Sequence, residues 1–531
     1  MTAATRSGDP SLARLADAIL IPPFGGRAAP GWVRSALRGG LGGVTVFGPN
    51  IAGPAQLAAL TARLRAATAE PLIAVDEEGG DVTRIAHLVG SNYPGNAALG
   101  AVDDVVLTEA VYRALGTDLA ALGINVDLAP SVDVNTAADN PVIGTRSFGA
   151  DTGLVARHAR AAVTGLQSAG VAACAKHFPG HGSTRIDSHH SIATVDVPLK
   201  LLAQRDLPPF SAAIAAGVRA IMPGHLRVPE LTGDLPASLS AAAQTGLLRG
   251  ELGFTGVIIS DALEMRAVSE PFGLPEVAVL AVAAGTDLLC FGRDQDRATY
   301  LAVRDALAAA VTSGRMPGAR LEDAAARVAD LRAWAAAARQ NAPAQTTDHQ
   351  TKDHQATDHQ ATGRQLTDGA DVGLAAARRA VRVTGGLARP ARPLHRPVLV
   401  EVVPPANIAV GVVPWGLEAW VPADSIVRLG VDAGPGELAQ AADRALAAAA
   451  GRPLVVVVRD AHRYQAARDV VTRLLAARPD TVVVEMGLPV WRPPHAVHVA
   501  TYGAARISGL AAAEILGLAP APNPLTPARP S

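Results

Sequence analysis

Eight short apolar runs recur over the first 335 residues, most of them followed by a loop and a segment of helical length. They are Ala18 to Ile21, Gly43 to Phe47, Leu72 to Val75, Ile124 to Leu128, Ala172 to His177, Arg219 to Met222, Gly256 to Ser260 and Asp287 to Phe291. Eight short buried strands alternating with helices are the elements of a (β/α)8 TIM-like barrel. A doubly wound open sheet uses similar elements. Polar side chains stand repeatedly where the runs end: Asp76, Asp127, Lys176 with His177, His225 and Asp261. This favours the barrel, because active sites of barrels sit at the carboxyl ends of the strands. The connecting segments Ala55 to Ala69 and Ala324 to Ala338 are rich in alanine, the strongest helix former.

Residues 341 to 370 change character, with Asp348-His349-Gln350, Asp353-His354-Gln355 and Asp358-His359-Gln360 repeating every five residues and almost nothing to bury. They are predicted to be a flexible linker, with metal binding by the three histidines as the alternative. The chain therefore divides into a barrel over residues 1–340, a linker over 341–370 and a smaller C-terminal α/β domain over 371–531. In the last, strands are predicted at Pro397 to Val403, Ile408 to Val413, Leu454 to Arg459 and Thr481 to Glu485, and helices at Glu437 to Ala450 and His462 to Ala477. It holds no dense cluster of titratable residues, so a structural or oligomerising role is expected for it.

Hydrophobic residues make up 49% of the 531, enough for large cores, and the net charge of −1 points to neither nucleic acid nor an acidic membrane surface. The first residues, M-T-A-A-T-R-S-G-D-P, lack a signal-peptide pattern, and no long apolar run predicts a membrane span. A soluble cytoplasmic protein acting on a small molecule is expected. Cys174 and Cys290 both fall in strand-like runs and read as packing residues.

The reactive residues concentrate in A-C-A-K-H-F-P-G-H-G-S-T-R-I-D-S-H-H, from Ala173 to His190. An apolar strand is broken by Pro179, Gly180 and Gly182, and Lys176, His177, His181, Asp187, His189 and His190 crowd around the break. A solvated loop or a metal site are the simpler accounts. The loop lacks the H-x-x-x-H face of a helical zinc site and no cysteine accompanies the histidines except strand residue Cys174, so neither a metal nor a cofactor is predicted. A phosphate-binding nest at the two glycines remains as a secondary role.

Three further stretches carry chemistry. In I-A-V-D-E-E-G-G-D-V-T-R (73–84), Gly79 and Gly80 allow a sharp turn that brings Asp76 and Arg84 toward one cavity. A carboxylate and a guanidinium together suit sugar hydroxyls, although an ion pair that only shapes the loop is an equal reading. The others are N-P-V-I-G-T-R-S-F-G (140–149) and G-V-I-I-S-D-A-L-E-M (256–265). Asp261 emerges in the latter from an apolar surround, where a lone Asp would be a helix cap.

Taken in order, D-E-E-G-G-x-V-x-R, N-P-V-I-G-x-R-S-F-G, K-H-F-P-G-H-G-x-T-x-x-D-S-H and S-D-A-L-E-M resemble glycoside hydrolase family 3, and within it the β-N-acetylglucosaminidase branch. The resemblance covers residues 15 to 335, and Arg378 to Val383 and A-T-Y-G-A-A-R (500–506) resemble the second domain of two-domain members. It implies that Asp261 is the nucleophile and His189 the general acid/base, paired with Asp187. It also implies that Asp76, Arg84, Arg146, Lys176 and His177 hold a terminal N-acetylglucosamine. One departure stands out: Asp81 replaces the Arg that many relatives have in E-G-G-R-V, so altered binding at the edge of the sugar site is expected.

The expected activity is that of a retaining exo-β-N-acetylglucosaminidase acting on cell-wall muropeptide or chitin-type fragments through a covalent glycosyl-enzyme. Two alternatives stand beside it. A histidine acid/base does not repel phosphate as a carboxylate would, so the same site would suit a phosphorylase. A sugar-binding barrel without catalysis is the other, and the joint presence of Asp187, His189 and Asp261 argues against it.

Overall fold

The computed structural model describes residues 9–185, 192–341, 371–385, 394–406 and 409–518. Each of the eight apolar runs contains a parallel strand of the first domain. They are β1 (Leu20–Ile21), β2 (Gly43–Thr45), β3 (Leu72–Val75), β4 (Val126–Asp127), β5 (Ala172–Phe178), β7 (Ala220–Pro223), β9 (Val257–Ile258) and β10 (Leu289–Cys290). Two short strands outside this wall, β6 (Ala193–Thr194) and β8 (Leu226–Arg227), pair with each other.

Hydrogen bonding runs β2-β3-β4-β5-β7-β9, and β1 pairs with β10. A bridge between Ile259 and Leu288 joins β9 to β10, and the Thr45 N–H donates to the Pro22 carbonyl at 3.3 Å between β2 and β1. The strands thus close into a barrel. Its wall is made of fully buried residues such as Ile73, Val75, Val126, Ala173, Ala175, Ile221 and Ile258. The alanine-rich segments form the helices Pro54–Arg65 and Gly318–Asn341 outside it. Cys174 and Cys290 are free and buried, and burial pushes the Cys290 thiol up to about 12. Apart from Asn341, the predicted linker, with its three histidines, lies outside the described residues.

The second domain is a six-stranded sheet in the order β11-β16-β15-β14-β12-β13. Its strands are β11 (Arg382–Thr384), β12 (Val398–Val403), β13 (Ile426–Gly430), β14 (Leu454–Val458), β15 (Val482–Glu485) and β16 (Val497–Ala500), and β11 alone runs antiparallel to its neighbour. Alternation decides its two cores. Val398, Val400, Val402, Val456 and Val458 pack beneath the helices Pro435–Ala448 and Gln465–Ala477, while Leu399, Val455, Val457 and Val484 pack on the other face with the helix Arg506–Ile515.

One predicted strand is absent. Of Ile408 to Val413, the described residues 409–413 form a turn and irregular chain, with Val412 exposed. Gly411, at φ +75°, and Pro414 break the run, and the Ala409 and Val410 carbonyls are taken by the barrel instead of by a strand. Conversely, β13 went unpredicted because it is an edge strand with Arg428 at its centre, pairing with β12 only.

Candidate active site

The site is built where β3, β4 and β5 end. Directly after β3, the chain must reverse within D-E-E-G-G-D, and it does so through Gly79 and Gly80 at φ +69° and +57°. A Cβ on Gly80 would lie 2.5 Å from the Gly95 Cα, so no other residue fits there. Glu77 points inward and fixes the returning strand of the loop. Its Oε2 accepts from Thr83 Oγ1 at 2.9 Å, from the Arg84 N–H at 2.7 Å and from the Ile85 N–H at 3.0 Å.

This turn places Asp76, Glu78 and Arg84 beside Lys176 of β5 and Arg146 of the turn Gly144–Arg146. Lys176 Nζ donates to Asp76 Oδ1 at 2.5 Å and lies 2.7 Å from Glu78 Oε1. Arg146 grips Glu78 with two donors, Nε at 2.9 Å and a terminal nitrogen at 2.7 Å. Arg84 meets the other oxygen of Asp76 at 2.9 Å. Burial works against the charge on Glu78, but Arg146 and Lys176 outweigh it and hold the carboxyl well below the usual range. Burial likewise disfavours charge on Lys176, and Asp76 and Glu78 reverse that and keep the ammonium protonated. Three cations and two carboxylates interlock, with Asp76 the most exposed member. Such a fixed array of donors and acceptors suits a ligand rich in hydroxyls.

The loop after β5 is held from below by Asp133. This fully buried carboxylate accepts from the His181 N–H at 2.7 Å and the His177 N–H at 3.2 Å, and lies 2.8 Å from His177 Nδ1. His177 Nδ1 therefore carries a proton, and its Nε2 faces Arg146 at 3.4 Å. Asn140 ties the N-P-V-I-G segment to the loop after β5 by donating to the His181 carbonyl at 2.9 Å. A Cβ on Gly182 would lie 2.0 Å from the Val134 carbonyl oxygen, which explains the glycine. His181 is buried and its imidazole is pushed down to about 4, first by burial and then by His177, so it stays neutral.

Asp261 follows the carboxyl end of β9, two strands along the wall from β5. The next helix begins at Arg266 with Met265 before it, so Asp261 does not cap it. Its turn is fixed instead. The Ala262 N–H donates to Asp261 Oδ1 at 2.8 Å, and the Ala262 carbonyl accepts from buried His225 Nε2 at 3.0 Å, whose Nδ1 meets Ser238 at 2.7 Å. Asp76 follows the carboxyl end of β3 and Asp261 that of β9, so the parallel wall presents both carboxylates at the same end of the barrel.

His189 and Asp187 lie outside the described residues. Sequence reasoning singled out Asp76, Arg84, Arg146, Lys176 and His177, and the structure joins them in one network. It passed over Glu78 and Asp133, which bind that network together. Glu78 stood in plain view in D-E-E-G-G, but nothing local separates it from its neighbour Glu77. Among the described residues no group of three or more His, Cys, Asp and Glu could hold a metal ion.

Asp81 is tied to the second domain. Its buried carboxylate accepts from Arg459 of the second domain at 2.9 Å, from the Ala504 N–H at 2.7 Å and from Thr145 Oγ1 at 2.7 Å. Arg84 also reaches across, donating to the Ala409 and Val410 carbonyls at 2.7 and 3.2 Å. The second domain is thus fastened to the motif loops themselves.

The chain is similar to several known proteins. Beta-hexosaminidase A of Pseudoalteromonas piscicida is 35% identical over 318 residues, covering 55% of this chain and 53% of that protein. Beta-hexosaminidase LpqI of Mycobacterium tuberculosis is 38% identical over 265 residues, 49% of this chain and 67% of that one. The match thus spans about half to two thirds of these relatives. A solved structure, a glycoside hydrolase family 3 beta-N-acetylglucosaminidase from Paenibacillus sp. str. FPU-7, superposes with a TM-score of 0.81 at 33% identity, covering 95% of this chain and 96% of that one. The Glycosyl hydrolase family 3 N terminal domain matches residues 33–331, and the chain belongs to that family.

Proposed function

We propose that the chain is a β-N-acetylglucosaminidase that removes a terminal N-acetylglucosamine with retention of configuration. What carries this reading is the interlocked Asp76–Arg84–Lys176–Glu78–Arg146 cluster on the same barrel end as Asp261. The cluster holds the sugar's hydroxyls and turns its anomeric carbon toward Asp261, which attacks it and forms a glycosyl-enzyme. His189 donates a proton to the leaving oxygen and then draws one from water, with Asp187 stabilising its imidazolium form. Cell-wall muropeptide or chitin fragments are the substrates.

Incubation with p-nitrophenyl N-acetyl-β-glucosaminide, with the product's anomer followed by proton NMR, tests this. The β anomer should appear first, and Asp261→Asn should lower turnover by at least about a thousandfold. An α product, or an Asp261→Asn variant as active as the parent, overturns the mechanism. Release of N-acetylglucosamine 1-phosphate when phosphate is added would favour phosphorolysis instead.

A further inference from the structure

In the second domain, the loops that follow β14 and β15 close around one carboxylate. Glu485, the last residue of β15, is buried, and its donors among the described residues are three backbone N–H groups. Its Oε1 accepts from Asp460 at 2.8 Å and from Gly487 at 2.7 Å, and its Oε2 accepts from Ala461 at 3.1 Å. Burial, and after it the nearby Asp460 carboxylate, push the Glu485 carboxyl above the usual range, with those N–H groups pulling the other way. Burying a carboxylate is costly, and what offsets it here is a set of hydrogen bonds that fixes both loops at once. Asp460 completes the arrangement: it sits at φ +53°, and its Oδ1 accepts from the Leu488 N–H at 2.8 Å. A Cβ on Gly487 would lie 2.3 Å from that oxygen.

The residues on either side of the pinned Asp460 and Ala461 reach into the barrel domain. Arg459 donates to Asp81 Oδ2 at 2.9 Å, and the same oxygen accepts from Thr145 Oγ1 at 2.7 Å, one residue before Arg146. His462 Nε2 donates to the Ala138 carbonyl at 2.7 Å. The second domain thus holds both ends of the segment 138–146. That segment carries Arg146, which grips Glu78 and also borders the cleft between the domains, opposite Arg463 and Tyr464. A continuous set of contacts therefore runs from Glu485 to the guanidinium of the candidate sugar site.

We propose that Glu485 is a positioning residue for the sugar site, acting through Arg459, Asp81 and Thr145 to hold Arg146 in place. The inference rests on the glycosidase reading above and gives the second domain a part in substrate affinity. Glu485→Gln keeps the size of the side chain but turns one acceptor into a donor that faces backbone N–H groups. In the full chain, with p-nitrophenyl N-acetyl-β-glucosaminide, it should raise KM at least about fivefold while kcat changes by less than about twofold. Thr145→Val removes the hydroxyl that Asp81 holds, and Gly487→Ala displaces Asp460 while leaving Glu485 in place; both should raise KM in the same way. In an Arg459→Ala background the effect of Glu485→Gln on KM should largely vanish, because the link is already broken. A Glu485→Gln protein that melts earlier yet keeps the parental KM overturns the proposal, and so does a rise in KM that adds in full to that of Arg459→Ala. If Glu485→Gln does not fold, parental KM in both Thr145→Val and Gly487→Ala overturns it equally. A parent inert on the p-nitrophenyl glycoside would instead sink the glycosidase reading, and this inference with it.

Discussion

Glu78 and Asp81 stand three residues apart in one glycine turn, both buried and both in ion pairs, yet they serve different halves of the molecule. Glu78 is matched by Arg146 and Lys176 of its own domain, and Asp81 by Arg459, 378 positions away. The same chemistry therefore organises a binding site in one case and a domain junction in the other. What differs is the direction in which the Gly79–Gly80 turn sends each carboxylate. The partner cation of Asp81 comes from the second domain, so this carboxylate serves the docking of the two domains.

The sharpest way to break this comparison is to remove each carboxylate in turn. Glu78→Gln leaves Arg146 and Lys176 buried with too little compensating charge, and breaking a buried pair in this way costs about 3–5 kcal/mol. Denaturant unfolding should show that loss, together with at least a hundredfold drop in kcat/KM. A Glu78→Gln protein of parental stability would show that the cluster is not held by this carboxylate.

Asp81→Ala should cost less, about 1–3 kcal/mol, because Arg459 remains partly exposed and can recover water. Its signature is different in kind. Loosened docking should make the domains melt in two calorimetric steps, and the Arg459→Ala replacement added to it should cost little more, since the pair is already broken. Fully additive losses would contradict the docking pair.

The smallest effect concerns Glu77, which holds the Arg84 backbone. Burial pushes its carboxyl up to about 7, with hydrogen bonds from Ile85, Thr83 and Arg84 pulling the other way. A folded-state value above the unfolded one means that Glu77 favours folding at low pH, and that this contribution is lost as pH rises through 7. Glu77→Gln does not titrate. Its stability relative to the parent should therefore improve between pH 5 and pH 8.5, by at most about 3 kcal/mol for a shift of this size. A difference that is flat with pH would show that Glu77 has an ordinary carboxyl.

Much of this molecule was legible in its residues. The eight apolar runs marked the barrel strands because a strand buried between helices needs only local hydrophobicity and a breaker at its end, and both are written in sequence. The four motif stretches likewise marked the loops that carry Asp76, Arg146, Lys176, His177 and Asp261. The second domain read less well, since its edge strand β13 is half polar and the segment before Trp415 is apolar without being a strand.

Partner choice was decided only in three dimensions. Nothing near Glu78 says that it takes Arg146 and Lys176, and nothing near Asp81 says that it turns toward Arg459 and Ala504. Nor does anything near Arg463 say that it borders a cleft whose other wall is Arg146. Secondary structure follows from the spacing of neighbouring side chains, whereas the fate of a buried charge depends on which distant cation packing brings within reach.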